Sequence, residues 1–236
     1  MADGWQDSAA AWIAEQGSEG DYARRHVLDA PMLALATAHG HRRALDVGCG
    51  EGRFCRMLRA RGIDSVGIDP TPALLEAARA RDPVGDYHAA RAEALPFENA
   101  AFDLVVSYLS LIDIPELPKA IAEMARVLRP GGALLIANLD SHVTAAAPDY
   151  WVRGGGRRGL AIDRYLEERA DWAVWNGIRV HNWHRPLSTY MRLLLEQDLV
   201  LRHFDEPPAQ GGDPARSERL RRCPWFLVME WVKPSG

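Results

Sequence analysis

ALDVGCGEGRFCRML, Ala44–Leu58, is the stretch that decides the fold. Ala44–Val47 is a short, mostly apolar run that reads as a buried strand, and Phe54, Met57 and Leu58 resume the apolar spacing of a helix. Between them lie Gly48, Gly50 and Gly52. A strand that opens through glycines into a helix lets a nucleotide-like ligand approach backbone closely, because no Cβ intervenes. The glycines fall at i, i+2 and i+4, with Arg53 where a dinucleotide loop would place its third glycine. That spacing argues against a pyrophosphate site.

Working outward, Ser65-Val66-Gly67-Ile68-Asp69 is a second strand ending in an acid, at the distance that returns a strand end to the same sheet edge. The pair DVGCGEG and Asp69 resembles the first motifs of class I S-adenosylmethionine-dependent methyltransferases, in particular the type 11-like enzymes that act on small molecules. The resemblance implies that Gly48 and Gly50 contact the methionine part of the cofactor, with Asp46 in support, and that Asp69 accepts hydrogen bonds from the ribose hydroxyls. ARAEALPF, Ala90–Phe97, is similar to the family's third motif, but Arg91 stands where an aspartate usually meets the adenine amino group. A guanidinium cannot accept that bond, so adenine recognition passes to Ala92 or Glu93. Tyr108, ending FDLVVSY, matches a position that lies beside the transferring sulfonium in the family.

The rest of the chain fits an α/β, Rossmann-like, doubly wound and mostly parallel seven-stranded sheet. Residues 1–40 read as a helical cap, with a bend at Pro31 and with Trp12, Tyr22 and Arg25 facing the pocket. Residues 41–140 alternate strand and helix: Thr71 is an N-cap before Pro72, Pro118–Leu128 is helical, and Ala133–Leu139 is the fifth strand. Residues 141–185 carry Trp151, Trp172, Trp175 and Trp183 among glycines and arginines, and Asn176-Gly177 is a hairpin turn. They read as a lid inserted after the fifth strand, with Trp175 and Trp183 meeting the acceptor. Residues 186–236 return to the sheet through a helix over Pro186–Gln197 and strands over Leu199–Glu206 and Pro224–Val232, joined by a solvated, arginine-rich loop. His184-Arg185-Pro186-Leu187 and Glu206-Pro207 also resemble a recurring bacterial signature that fixes no substrate.

Composition bounds the function. The chain has 236 residues, and its net charge of −4 opposes a general affinity for nucleic acid. No apolar run is long enough to span a bilayer, and no secretory leader is recognisable. Three cysteines, Cys49, Cys55 and Cys223, cannot all pair, which suits reduced thiols in a cytoplasmic protein, monomeric or homodimeric. No spacing suggests a metal site. The expected reaction is methyl transfer from S-adenosylmethionine, leaving S-adenosylhomocysteine, to an oxygen of a small metabolite, phenol or carboxylate. His184 is expected as its general base, with His181 in reserve and Tyr108 close by. N- or C-methylation, an NAD(P)-dependent oxidoreductase and a non-catalytic cofactor-binding protein are the alternatives.

Overall fold

The computed structural model describes residues 3–154 and 157–235. A seven-stranded sheet organises it. Strands β1 (Arg43–Val47), β2 (Asp64–Asp69), β3 (Asp86–Ala89), β4 (Phe102–Tyr108) and β5 (Leu128–Leu139) run parallel. Antiparallel β11 (Phe226–Val232) follows β5, and β10 (Val200–Asp205) closes that edge, giving the order β10-β11-β5-β4-β1-β2-β3. The strand order reverses between β1 and β4, so a crevice opens beyond their C-terminal ends.

Alternation along the strands divides the core. Leu45, Val47, Val105, Leu134 and Ile136 face one hydrophobic layer, with α5 (Leu117–Val127) and α7 (Leu187–Leu195). Ala44, Leu104, Val106, Leu135 and Ala137 face the other, with α2 (Asp29–Ala38) and α3 (Arg53–Arg59). Burial on both faces explains the continuous apolar strands of the sequence.

Several local expectations shift. The bend in the N-terminal cap comes before Pro31, as a π-turn over Arg24–Leu28 in which Asp29 N–H reaches back to Arg24 C=O. Pro31 then sits in the first turn of α2, where its missing N–H costs little. Thr71 occupies the N-cap position of α4 (Pro72–Arg81), but its side chain makes no capping bond. The Arg129–Gly132 run lies inside β5, with a register shift against β4, rather than separating helix from strand. The loop before β11 contains a helix, α8 (Pro214–Arg222), which Asp213 caps through the Arg216 N–H.

The segment after β5 holds a short helix, α6 (Ser141–Thr144), and two hairpins, β6 (Ala146–Gly154) with β7 (Arg157–Ile162) and β8 (Arg169–Trp175) with β9 (Ile178–His184). Only the second was legible, through Asn176 and Gly177, both at positive φ (43° and 81°) as a two-residue primed turn requires. Trp151 falls in β6, where its side chain lies outside the described part. β9 packs on α1 (Trp5–Gln16) and on the 3₁₀ turn Leu111–Asp113 that follows β4. The hairpin therefore sits at the crevice edge.

Candidate active site

The crevice is built first from backbone. Gly48 N–H and Cys49 N–H both donate to Ile68 C=O at 2.8 Å, drawing the glycine loop against the end of β2. Gly48 has φ of +78°, and a Cβ there would meet the Ser110 Cβ at 2.5 Å. Ser110 Oγ donates to Val47 C=O at 2.6 Å, so the loops after β1 and β4 are locked at one height. Asp69 completes the frame: its Oδ2 accepts from Gly50 N–H at 3.0 Å and its Oδ1 from Thr71 N–H at 2.8 Å.

Over this frame lies an open cleft with a cavity of about 100 Å³, lined among others by Gly48, Gly50, Asp69, Ala92, Glu93 and Tyr108. A second recess of about 50 Å³ shares Trp12, Arg24, Gly48, Gly50 and Tyr108 with it and adds Asp46. The residues that the resemblance assigns to the cofactor therefore line these two adjoining recesses. Asp46 is buried, with Oδ2 accepting from Cys55 Sγ at 3.5 Å and Oδ1 without a partner. Burial pushes its pKa up to about 7. Burial raises that of Asp69 as well, against the pull of its two backbone donors.

These features fit S-adenosylmethionine. The orphaned Asp46 oxygen suits an ammonium group, the glycine loop admits a ligand against backbone, and each Asp69 oxygen retains a lone pair for a hydroxyl. Among the described residues no group of three or more His, Cys, Asp or Glu is placed to hold a metal ion.

Tyr108 lines the cleft with its ring, but its hydroxyl donates to Asp29 Oδ1 at 2.8 Å. Asp29 in turn pairs with Arg53. Burial first, then the Asp29 charge, hold the phenol pKa well above its usual value. Tyr108 is thus a wall and a donor, which removes it as a proton acceptor.

His184, expected as the general base, is placed away from the cleft. It is 1% exposed, lies outside the cleft wall, and has both ring nitrogens engaged. Nε2 meets Tyr165 C=O at 2.8 Å, so it carries the hydrogen, and Nδ1 meets Thr144 Oγ1 at 2.7 Å. Burial lowers its pKa, keeping it neutral, and it serves as a strut between α6 and the lid. His181 stacks on Trp172 with ring centroids 3.8 Å apart, also away from the cleft.

Of the aromatic residues expected at the acceptor, Trp12 lines both recesses and lies edge-on to Trp5, 5.2 Å between centroids. Tyr22 does not line either: its hydroxyl bonds Asp213 C=O at 3.0 Å and Ser217 Oγ at 2.8 Å, pinning α8. Trp175 and Trp183 are half-buried on the hairpin and outside the cleft wall; Trp183 lies under the Arg185 guanidinium at 4.6 Å. Arg25 is exposed, while its neighbour Arg24 lines the cleft, paired with Asp21 and 4.7 Å from the Trp12 ring.

Sequence reasoning missed Asp3, Trp5 and Asp113, which line the same cleft. An acid inside the apolar run Ser110-Leu111-Ile112-Asp113-Ile114, directly after a buried strand, was the available signal. Arg185, noticed only within a signature, is buried and donates to the carbonyls of Leu111, Ile114 and Pro115, so it holds the turn that presents Asp113.

Residues 45–136 match the family described as a methyltransferase domain. The chain is 35% identical over 219 residues to a malonyl-[acyl-carrier protein] O-methyltransferase of Salmonella typhimurium, 90% of this chain and 83% of that protein. A protein of the same name from Serratia marcescens is 35% identical over 127 residues, 54% of this chain, and the match spans 50% of its length. The crystal structure of an S-adenosylmethionine dependent methyltransferase from Mesorhizobium loti superposes with a TM-score of 0.78 at 28% identity, covering 92% of this chain and 100% of that one. The glycine loop, the acid ending β2 and the sheet order agree with these likenesses: the chain belongs to the class I S-adenosylmethionine-dependent methyltransferases.

Proposed function

We propose that this enzyme methylates a hydroxyl, most simply a phenol, on a small apolar or aromatic molecule. The observation that carries the reading is the wall facing the cofactor frame, formed by Trp5, Trp12, Asp3 and Asp113. Indole faces suit a flat apolar acceptor, and carboxyl groups suit one that brings a hydrogen-bond donor. Both guanidinium groups on the cleft wall are already engaged, Arg24 with Asp21 and Arg91 with Glu93. An anionic acceptor would meet Asp3 and Asp113 without an unpaired arginine opposite.

In this reading Asp46 and the Gly48–Gly50 loop take the methionine end of the cofactor, Asp69 the ribose, and Ala92 and Glu93 the adenine. Bound there, S-adenosylmethionine supplies a methyl group already activated by a positive sulfur. The chain's own work is alignment, exclusion of water and removal of the acceptor's proton.

A second reading has one observation in its favour. The similarity to malonyl-[acyl-carrier protein] O-methyltransferases extends over 90% of this chain in the Salmonella typhimurium relative. On that reading the acceptor is a carboxylate borne by a carrier protein. Labelled methyl transfer across phenols, aliphatic alcohols, amines and a malonyl thioester on its carrier separates the two. Label on phenols is the expected result. Label only on the malonyl thioester would replace this reading with the second.

A further inference from the structure

Asp113 is the carboxyl group whose surroundings the fold arranges with most care and whose use is unassigned. It ends the 3₁₀ turn after β4 and faces the cleft. Its Oδ1 accepts from Asn182 Nδ2, on the lid hairpin, at 2.6 Å, and the Trp5 indole hydrogen-bonds the same carboxyl. Arg185 fixes the turn through the backbone carbonyls of Leu111, Ile114 and Pro115. Three distant segments thus orient one carboxyl toward the space between the cofactor frame and the tryptophans.

We propose that Asp113 is the general base of the reaction, taking the proton of the acceptor hydroxyl. The inference rests on the hydroxyl-acceptor reading above. As the hydroxyl oxygen bonds to the methyl carbon, the carbon–sulfur bond breaks and its electron pair returns to sulfur. The O–H pair stays on oxygen, and the proton passes to the Asp113 carboxylate, which later releases it through the cleft mouth. Charge balances: one positive sulfur and one carboxylate become a neutral thioether and a carboxylic acid.

The electrostatics suit the task. Desolvation raises the Asp113 pKa well above the carboxylate range, Asp69 and Asp3 add to it, and the donors Asn182 and Trp5 oppose it. His181, from the adjacent part of β9, is turned onto Trp172, and Arg24 and Arg91 across the cleft are paired elsewhere. Once ionised, a carboxylate made more basic by burial is a stronger proton acceptor than an ordinary one, and the working form is that ionised fraction.

Asp113→Asn is the informative variant, because an amide oxygen still accepts from Asn182 but the group no longer takes a proton. Three readouts go together. Calorimetry should give adenosylmethionine affinity within about threefold of the parent, since Asp113 lies outside the assigned cofactor contacts. With simple phenols kcat should fall roughly 10²–10⁴-fold, while a nitrophenol already ionised at the assay pH should be methylated at nearly the parent rate. In the ligand-free protein labelled with [¹³C]-carboxyl aspartate, the resonance lost in Asp113→Asn should titrate well above the ordinary aspartate range. Equal losses for simple phenols and nitrophenols, unchanged rates for both, or an Asp113 resonance titrating in the ordinary range would each overturn the assignment. If the parent enzyme methylates no hydroxyl, the functional reading fails and this one falls with it. If the parent methylates phenols and Asp113→Asn does so equally well, only the base is refuted.

Discussion

The two sides of the cleft are made differently. The side proposed to hold the cofactor consists of strand ends and the turns that follow them: Gly48 after β1, Asp69 at the end of β2, Ser110 after β4. Its contacts are to backbone, and each of its residues stands at or just after the end of a parallel strand. The side proposed to meet the acceptor is assembled from a terminal segment, a turn and the lid. Asp3 and Trp5 come from the N-terminus, Asp113 from the turn after β4, Asn182 from the lid. A frame of strand ends can be kept while the facing wall is rebuilt, which is how one fold serves many acceptors.

If the acceptor side depends on long-range struts, breaking one should cost more than losing any cofactor contact. Arg185→Met removes a buried guanidinium that satisfies the carbonyls of Leu111, Ile114 and Pro115. Stability should fall by about 3–5 kcal/mol, because several buried acceptors lose their donors together. Urea unfolding would measure it, and a loss under about 1 kcal/mol would show that the turn holds itself. In the surviving folded fraction, acceptor KM should rise more than the cofactor Kd.

The corresponding test on the other side is Asp69→Ala. Losing two ribose contacts to a carboxylate should weaken adenosylmethionine binding by on the order of 2–4 kcal/mol, roughly 30- to 1000-fold. Because Asp69 also accepts from Gly50 and Thr71 N–H, part of the loss will come from a loosened glycine loop. Calorimetric titration decides, and unchanged affinity would take Asp69 out of the site.

Asp46 sharpens the comparison, since it is a cofactor-side group held against the interests of stability. Its folded pKa of about 7 exceeds its ordinary 3.8, so the folded protein binds that proton more tightly than the unfolded chain. Stability contributed this way is lost as pH rises from 3.8 toward about 7, and the loss is complete above it. Asp46→Asn should therefore stabilise the ligand-free protein at pH about 8 by roughly 2 kcal/mol, have little effect near pH 4, and weaken cofactor binding. A variant no more stable than the parent at the higher pH would mean that the Asp46 carboxylate is better solvated than its orphaned oxygen indicates.

The same contrast explains what the sequence disclosed. DVGCGEG, Asp69 and Tyr108 are short-range patterns on regular elements, so spacing and apolar alternation disclosed the sheet, and the family resemblance of these motifs pointed to the residues that line the cleft. The β8–β9 hairpin was visible because Asn176-Gly177 demands a particular turn. Tyr22 was expected at the pocket and Trp175 and Trp183 at the acceptor, but aromatic residues near a cleft edge carry no mark of which way they point. Tyr22 reaches α8, and the two tryptophans lie on the expected hairpin but outside the cleft wall. Arg24 was missed for Arg25 because two adjacent arginines carry no sequence mark of which one faces inward. Asp113 and Asn182 are 69 residues apart, and their 2.6 Å contact exists only through the tertiary fold.

His184 gives the smallest expected effect and the cleanest check on which residues touch the chemistry. Its position between lid and α7 made it look like a residue that could reach the cleft. In the fold, its Nε2–H is held by Tyr165 C=O and its Nδ1 by Thr144, so neither nitrogen is available to an acceptor. His184→Gln keeps a polar side chain of similar reach and should cost about 1 kcal/mol, the net worth of one imperfectly replaced hydrogen bond. Because burial depresses the His184 pKa below 6.5, the folded protein resists protonating it, and the parent should lose stability as pH falls through and below 6.5. The glutamine variant should lack that component of the acid limb in stability. Its pH–rate profile should retain the parent's shape, with kcat within about threefold, because the group removed is a strut. A fall of roughly 10²-fold or more in kcat, with the acidic limb of the rate profile gone, would return His184 to the role of base and displace Asp113 from it.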